Sequence, residues 1–367
     1  MNTTPVIVYE TLARRAGVGW FAFSRSHHVS HILSLSTVRS EAHALMTDPV
    51  HHQGRLQNTS RRLLITGIGG FLGSHLEALA TDVGWEVSGI TRATPTDYPH
   101  VAIDLAEDGA ARDAIEQCSP DAVIHCAANA RTNECERHPE LAERDNVLAT
   151  RLLAQACADN QKPIPLVACS TDLVFDGGRR GGMYTEDDEP NPINVYGRSK
   201  LAMERMLRDM GSHAIIARLP LLFGPPAERG GRGSFLGGWI EHLRRGEELV
   251  LFTDEWRTPL SVREASRGLL AALELGQPGD CYHLPGPLRV NRYELGTRFF
   301  TAAAGVLDVD APLLKPGLQA DVPLPAPRAA DVSLDGPWSF GVLCFRPAPL
   351  DEELAWTVAR LGELSQD

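Results

Sequence analysis

From residue 61 onward, short apolar runs alternate with amphipathic stretches. Arg62–Thr66 reads as a buried strand, Phe71–Ala80 as a helix and Trp85–Ile90 as a second strand. Ala122–Cys126 and Leu166–Cys169 are further short apolar runs, with a long helical pattern over Glu140–Asn160 between them, and Val195–Met210 reads as another helix. Strands that alternate with helices predict an α/β protein with a Rossmann-type, doubly wound parallel sheet covered on both faces. Beyond His213–Arg218 the regularity fades. Glycine and proline crowd residues 224–238, and the proline-rich stretch 307–330 is expected to be mostly loop. The pattern therefore predicts a dinucleotide-binding domain over 61–218, receiving segments from about 247–280, and a smaller C-terminal α/β substrate domain over 219–367.

Residues 1–60 follow a different rule. They hold five arginines and three acids, against 30 bases and 44 acids in the remainder, and six of the 13 histidines. Gly17–Phe23 is their one compact apolar patch, and no helical or alternating period follows it. The histidines lack a ligand spacing on a helix, so no metal is expected. A targeting leader is one reading of this acid-poor, serine-rich stretch. The preferred one is a poorly ordered extension, or translation upstream of a start near Met46.

Composition narrows the function classes. A formal charge of −12 over 367 residues disfavours phosphate backbones and anionic lipid as partners, so neither nucleic acid nor membrane is expected. No apolar run approaches the ~18 residues that span a bilayer. The seven cysteines form no CxxC pair, which fits a reducing cytoplasm better than a disulfide framework.

Candidate chemistry begins at the first turn. Thr66-Gly67-Ile68-Gly69-Gly70-Phe71-Leu72-Gly73 follows the first strand and opens a helix, where free backbone N–H groups and the helix dipole suit a pyrophosphate. The spacing is GxxGxxG, from Gly67, Gly70 and Gly73, rather than GxGxxG. The second strand ends Gly89-Ile90-Thr91-Arg92 with no acid at its tip, so Arg92 is expected to meet a 2′-phosphate. NADP(H) is thus preferred, with NAD(H) as the alternative. Asp104 and Leu105 are placed toward the adenine side, with a helix cap as the competing role for Asp104.

Tyr196 and Lys200 stand four apart, on one side of a helix. A free phenol titrates near ~10, and a neighbouring ammonium is expected to lower that value toward the working range. The chain has three lysines and six tyrosines, so this spacing is not a product of crowding. Ser170 and Thr171 end a strand at the carboxyl edge of the sheet, where ligands of open α/β sheets bind. A hydroxyl there is placed to hold the reacting oxygen opposite Tyr196. Ala127, Ala128 and Asn129 follow another strand and are expected to border the cofactor, and Asn146 to hold a water or a backbone group.

Taken together, TGxxGxxG at 66–73, CAAN at 126–129, STDLVFDG at 170–177, YGRSK at 196–200 and DEWRTP at 254–259 resemble the extended short-chain dehydrogenases/reductases. The STD-x-VFDG element and the loop bearing Tyr184, Glu186 and Pro190 look most like the dTDP-4-dehydrorhamnose reductase-like, sugar nucleotide-binding family. The likeness spans about 61–350, with later echoes at Tyr282-His283-Leu284, Tyr293-Glu294-Leu295 and 328–334. It implies an NAD(P)H-dependent oxidoreductase acting on a nucleotide-linked sugar, with Thr171, Tyr196 and Lys200 catalytic. It also implies that Phe71 and Leu72 join the glycines at the cofactor. In that scheme hydride reaches a keto carbon, Tyr196 donates the proton, Thr171 positions the oxygen, and Lys200 holds the nicotinamide ribose. Ser170, Arg218 and Arg257 are the expected substrate contacts, Arg257 being equally suited to a structural ion pair. Leu173 stands where the family carries a tyrosine, and Arg257 falls in an altered element, so the sugar and its carrier are left open. Homodimerisation is left open as well.

Three other readings share these motifs. An epimerase or dehydratase would keep its dinucleotide bound, with no net consumption. A non-catalytic binding subunit is admitted because the regulatory subunit of methionine adenosyltransferase is similar to this fold. Reduction of a small carbonyl compound is the third.

Overall fold

The computed structural model describes residues 61–92, 101–211, 214–227, 233–307 and 314–364. The readings of residues 1–60 lie outside them. A seven-stranded sheet is built from β1 (Arg62–Thr66), β2 (Glu86–Thr91), β3 (Val101–Ala102), β4 (Ala122–His125), β5 (Leu166–Thr171), β6 (Ala214–Leu219) and β7 (Cys281–His283). Its spatial order is β7-β6-β5-β4-β1-β2-β3, and every adjacent pair is parallel. The strand order reverses at β1, so β1 and β4 diverge to opposite helical layers and leave a crevice at their carboxyl ends. The expected α/β, doubly wound architecture is what the chain adopts.

Both faces of this sheet are covered, which is why its strands read as apolar runs rather than alternations. Leu63 and Ile65 of β1 point to one face, into a core with Leu76, Leu269 and Tyr282. Leu64 points to the other, into a core with Ala114, Leu153 and Met203. The first face is covered by α1 (Phe71–Asp82) and α5 (Val262–Leu275), which pack on each other. The second is covered by α2 (Ala110–Cys118), α3 (Ala149–Asp159) and α4 (Val195–Asp209). Burial of each such leucine or isoleucine contributes about 1.5–3 kcal/mol.

Three local features differ from the expected pattern. The single helix over Glu140–Asn160 is three pieces end to end: Pro139–Glu143, a π-helical turn at Arg144–Leu148, and α3. Apolar periodicity does not register one inserted residue. Leu314–Gly317, inside the stretch expected to be loop, is a strand paired in parallel with Leu249–Phe252. Pro316 is tolerated there because the pairing is only two strands wide. The segment 247–280 also divides: Leu249 and Leu251 enter a separate core with Trp239, Phe299 and Leu354, whereas α5 covers the main sheet. That separate core is closed by α6 (Leu350–Leu364).

Candidate active site

The phosphate turn is shaped by two glycines. Gly67 has φ +69°, and a Cβ on it would lie 2.7 Å from the Ala127 nitrogen. A Cβ on Gly73 would lie 2.3 Å from the Gly67 carbonyl oxygen. The first therefore lets β4 approach the turn, and the second lets α1 pack onto it. Helix α1 starts from Gly70 with no side-chain cap and no acid in its first turn. Its leading N–H groups suit an anion. The crevice above is lined by Gly67, Gly70, Thr91, Arg92, Asp104, Leu105, Cys126, Ala127, Ala128 and Asp145, so seven of the expected cofactor residues share one wall-and-floor arrangement. A tight turn that a Cβ at Gly67 or Gly73 would disrupt, leading into an uncapped helix below the crevice, fits a dinucleotide.

Other expected cofactor residues do not line the crevice and have their own protein contacts. Phe71 turns its ring to His75, and Leu72 packs on the sheet core. Asn129 is tied down by Asn146, whose Oδ1 accepts from the Asn129 N–H at 2.8 Å and whose Nδ2 donates to the Asn129 carbonyl at 3.1 Å. The same Nδ2 donates to Ser199 Oγ at 2.9 Å, joining the loop after β4 to α4. Asn146 thus holds backbone, one of its two expected uses. It can do so because the π turn directs it inward, where it is fully buried.

At the end of the crevice that bears Arg92 and Asp104, charges are interlocked. Arg92 donates to Asp145 Oδ2 at 2.7 Å. Arg144 donates to Asp145 Oδ1 at 3.2 Å, to Asp104 Oδ2 at 2.9 Å and to Glu107 Oε1 at 2.8 Å. Burial acts to raise the Asp104 carboxyl, but the Arg144 and Ala106 hydrogen bonds and the charges of Arg144 and Arg92 hold it below its ordinary value. The Asp104 side chain also accepts from the Ala106 N–H at 3.0 Å, so its local turn and its place on the crevice wall coexist.

Helix α4 is started by Asn194, which accepts from the Gly197 N–H at 2.8 Å. That start puts Tyr196 and Lys200 on its first two turns, both buried. Lys200 Nζ donates to the Cys169 carbonyl at 2.8 Å, anchoring it under the carboxyl end of β5. Cys169 Sγ lies 3.8 Å from Cys126 Sγ, and Cys126 lines the crevice. Lys200 is thus linked through Cys169 and Cys126 to the crevice, whereas neither Tyr196 nor Lys200 is among the residues that line it. Burial pushes Lys200 down from its ordinary value.

Tyr196 departs from the expectation of a lowered pKa. Burial pushes its phenol well above its ordinary value, and contact with the Thr171 hydroxyl opposes this only in part. Removing a phenolate from water outweighs the stabilisation its neighbours supply, so burial favours the protonated phenol. Thr171 itself donates to Asp172 Oδ1 at 3.1 Å and accepts from the Leu173 N–H at 3.2 Å. Leu173, in place of a tyrosine, packs against Tyr196.

Two expected substrate contacts are engaged by protein partners in the structure. Arg218 is 2% exposed, and its guanidinium is consumed by Glu204, at 2.9 and 2.7 Å, and by His283 Nε2 at 3.2 Å. Ser170 Oγ donates to the same Glu204 at 2.6 Å. Both belong to an interior network beneath the sheet edge, because the strand alternation that turns Thr171 to the site turns its neighbour away.

Arg257 has a different setting. Its Nη1 donates to the Trp256 and Ala329 carbonyls at 2.7 and 3.2 Å, its Nε lies 3.6 Å from Asp172 Oδ2, and its Nη2 lies 3.4 Å from Glu255. Pairing of Trp256–Arg257 with Val290–Asn291 brings Arg292 alongside, its Nε 4.0 Å from Glu255 and its guanidinium over the rings of Phe235 and Trp239. Buried Arg292 Nη1 and Asp172 Oδ2 have no hydrogen-bond partner. Burial pushes Arg292 down to about 10 and Asp172 up to about 6, although Arg257 and the Thr171 hydroxyl work to lower Asp172. Asp172, Glu255 and Arg292 were not among the expected site residues. Asp172 was visible within STD, whereas no spacing links Arg292 to it across 120 positions of chain.

Comparison with known proteins agrees with this geometry. The RmlD substrate binding domain family matches residues 61–361. The chain belongs to that family. A probable low-salt glycan biosynthesis reductase of Haloferax volcanii is 33% identical over 307 residues, covering 82% of this chain and 98% of that protein. A dTDP-4-dehydrorhamnose reductase of Mycobacterium tuberculosis is 30% identical over 275 residues, covering 74% and 84%. The methionine adenosyltransferase 2 subunit beta of Danio rerio is 36% identical over 174 residues, covering 47% and 51%. The crystal structure of dTDP-4-dehydrorhamnose reductase from Bacillus anthracis, in complex with NADP, has a TM-score of 0.71 at 23% identity, covering 82% of this chain and 100% of that one. The expected class, an extended short-chain dehydrogenase/reductase and hence an oxidoreductase, stands. Among the described residues, no helix is long and apolar enough to cross a membrane.

Proposed function

We propose that the protein reduces a keto group on a nucleotide-linked sugar, using NADPH in preference to NADH. One observation carries this reading: Tyr196 is a buried phenol beside Thr171 and near Asp172, and the buried Asp172 Oδ2 and Arg292 Nη1 have no hydrogen-bond partner. A protonated phenol is the form required to quench an alkoxide, which is the product side of carbonyl reduction. Arg292 Nη1 suits a phosphate oxygen and Asp172 Oδ2 a sugar hydroxyl.

Gly67, Gly70 and the start of α1 would hold the dinucleotide pyrophosphate, Arg92 its 2′-phosphate, and Tyr196 and Lys200 its nicotinamide ribose. When bound, the reduced nicotinamide supplies a hydride. Tyr196 donates its proton to the substrate oxygen. Thr171 would orient that oxygen by turning its one hydroxyl proton from Asp172 to the substrate, its own oxygen staying held by the Leu173 N–H. Lys200, held by the Cys169 carbonyl, would in its protonated form favour the phenolate that remains. Proton transfer and oxyanion stabilisation of this kind contribute roughly 10²–10⁴ in rate each.

The test is a panel of nucleotide-linked 4-keto sugars with NADPH, following absorbance and product stoichiometry. One NADPH consumed per alcohol formed is expected. Isomerised product with no net NADPH consumption would replace reduction by epimerisation. The identity to the methionine adenosyltransferase beta subunit favours a second reading, a dinucleotide-binding subunit without turnover. Absence of turnover across the panel, with NADPH still bound and a partner protein co-purifying, would select it.

A further inference from the structure

The carboxylate of Asp145 touches both Arg92 and Arg144, and its position follows from the π turn Arg144–Leu148. It accepts from Arg92 on one oxygen and from Arg144 on the other. Its side chain is 11% exposed, whereas that of Arg92 is 62% exposed. Arg144 is already engaged by Asp104 and Glu107. Three carboxylates therefore face two guanidinium groups where a 2′-phosphate would arrive, and the cation best placed to receive it is held by an anion.

We propose that Asp145 is a specificity-determining residue that weakens the preference for NADPH over NADH by competing with the 2′-phosphate for Arg92. The competition is selective. NADH carries hydroxyls at that ribose and leaves the Arg92–Asp145 pair in place, whereas NADPH must break the pair and bring a dianion close to Asp145. The inference rests on the assignment of Arg92 to the 2′-phosphate, and it is independent of which sugar is reduced.

Equilibrium titration of the full chain with NADPH and with NADH, by fluorescence or calorimetry, tests it without a sugar substrate. Asp145→Asn is expected to tighten NADPH about fivefold and to leave NADH within about twofold, the scale of one exposed ion pair. Asp145→Ala serves as a second variant with the same expectation, and circular dichroism checks that each folds. In an Arg92→Ala background, where NADPH binding is already weakened, Asp145→Asn is expected to tighten it less than in the parent, because only the direct repulsion is then relieved. Unchanged or weaker NADPH binding in both Asp145 variants, while Arg92→Ala still loses NADPH, would overturn the role of Asp145 alone. Full NADPH affinity in Arg92→Ala would overturn the Arg92 assignment and the proposal with it. Equal tightening of both dinucleotides would also overturn it, because a general charge effect would then suffice.

Discussion

The phenol of Tyr196 and the carboxyl of Glu186 show the same force producing two outcomes. Both are pushed up by burial, Tyr196 beyond its ordinary range and Glu186 to about 7. For Tyr196 the retained proton is useful. Tyr196→Phe is expected to lower kcat by about 10³ in the NADPH oxidation assay while dinucleotide affinity falls by no more than about fivefold, the scale of one lost hydrogen bond. Glu186 accepts from the His283 N–H at 3.2 Å, but its buried Oε2 has no partner. Its folded pKa lies above the unfolded one, so the native state binds the proton more tightly. The stability this confers is complete below about 4.5, and is lost as pH rises toward 7. Glu186→Gln removes the titration. Urea unfolding is therefore expected to show the variant about 1–2 kcal/mol more stable than the parent at about pH 8, with no gain near pH 4.5.

The elements around the site depend on close approaches that a small side chain would prevent. Gly73→Ala would place a methyl 2.3 Å from the Gly67 carbonyl and 2.7 Å from Ile68 Cα, both backbone atoms that cannot swing aside. A loss of about 2 kcal/mol in urea unfolding is expected, with NADPH binding weakened at least about tenfold as the turn shifts. This glycine, like the Tyr196–Lys200 pair and β1, was legible in the sequence because a local spacing encodes it. Apolar runs of four to six residues between helical patterns were sufficient for the sheet. The π turn was not legible, since Arg144–Leu148 keeps an ordinary helical composition and its extra residue appears only in the direction that Asn146 takes. Ser170 and Arg218 misled for a related reason. A motif names neighbours in sequence, and adjacent strand residues face opposite sides. Arg292 was invisible because its partners, Glu255 and the rings of Phe235 and Trp239, are assembled by tertiary pairing alone.

At the scale of the molecule, the sheet core under α5 and the separate core under α6 are joined by residues at the start of those two helices. Glu353 is 1% exposed and accepts from Arg263 Nε at 2.9 Å, with the Ser261 hydroxyl also donating to it. Arg263 keeps 43% of its side chain exposed. The two partners are therefore unequal: Arg263→Ala strands a buried carboxylate, whereas Glu353→Gln leaves a cation that reaches water. Urea midpoints are expected to report a loss of about 3 kcal/mol for the first and about 1 kcal/mol for the second. The main sheet is itself completed from afar, since β7 joins β6 some sixty residues later in the chain and Leu343 and Phe345 return to the same core. During synthesis, β6 emerges from the ribosome as an apolar, unpaired edge and must wait for β7 to be translated. A ribosome stalled within that interval, or a gene truncated there, would release a polypeptide that collects in inclusion bodies rather than a smaller working protein.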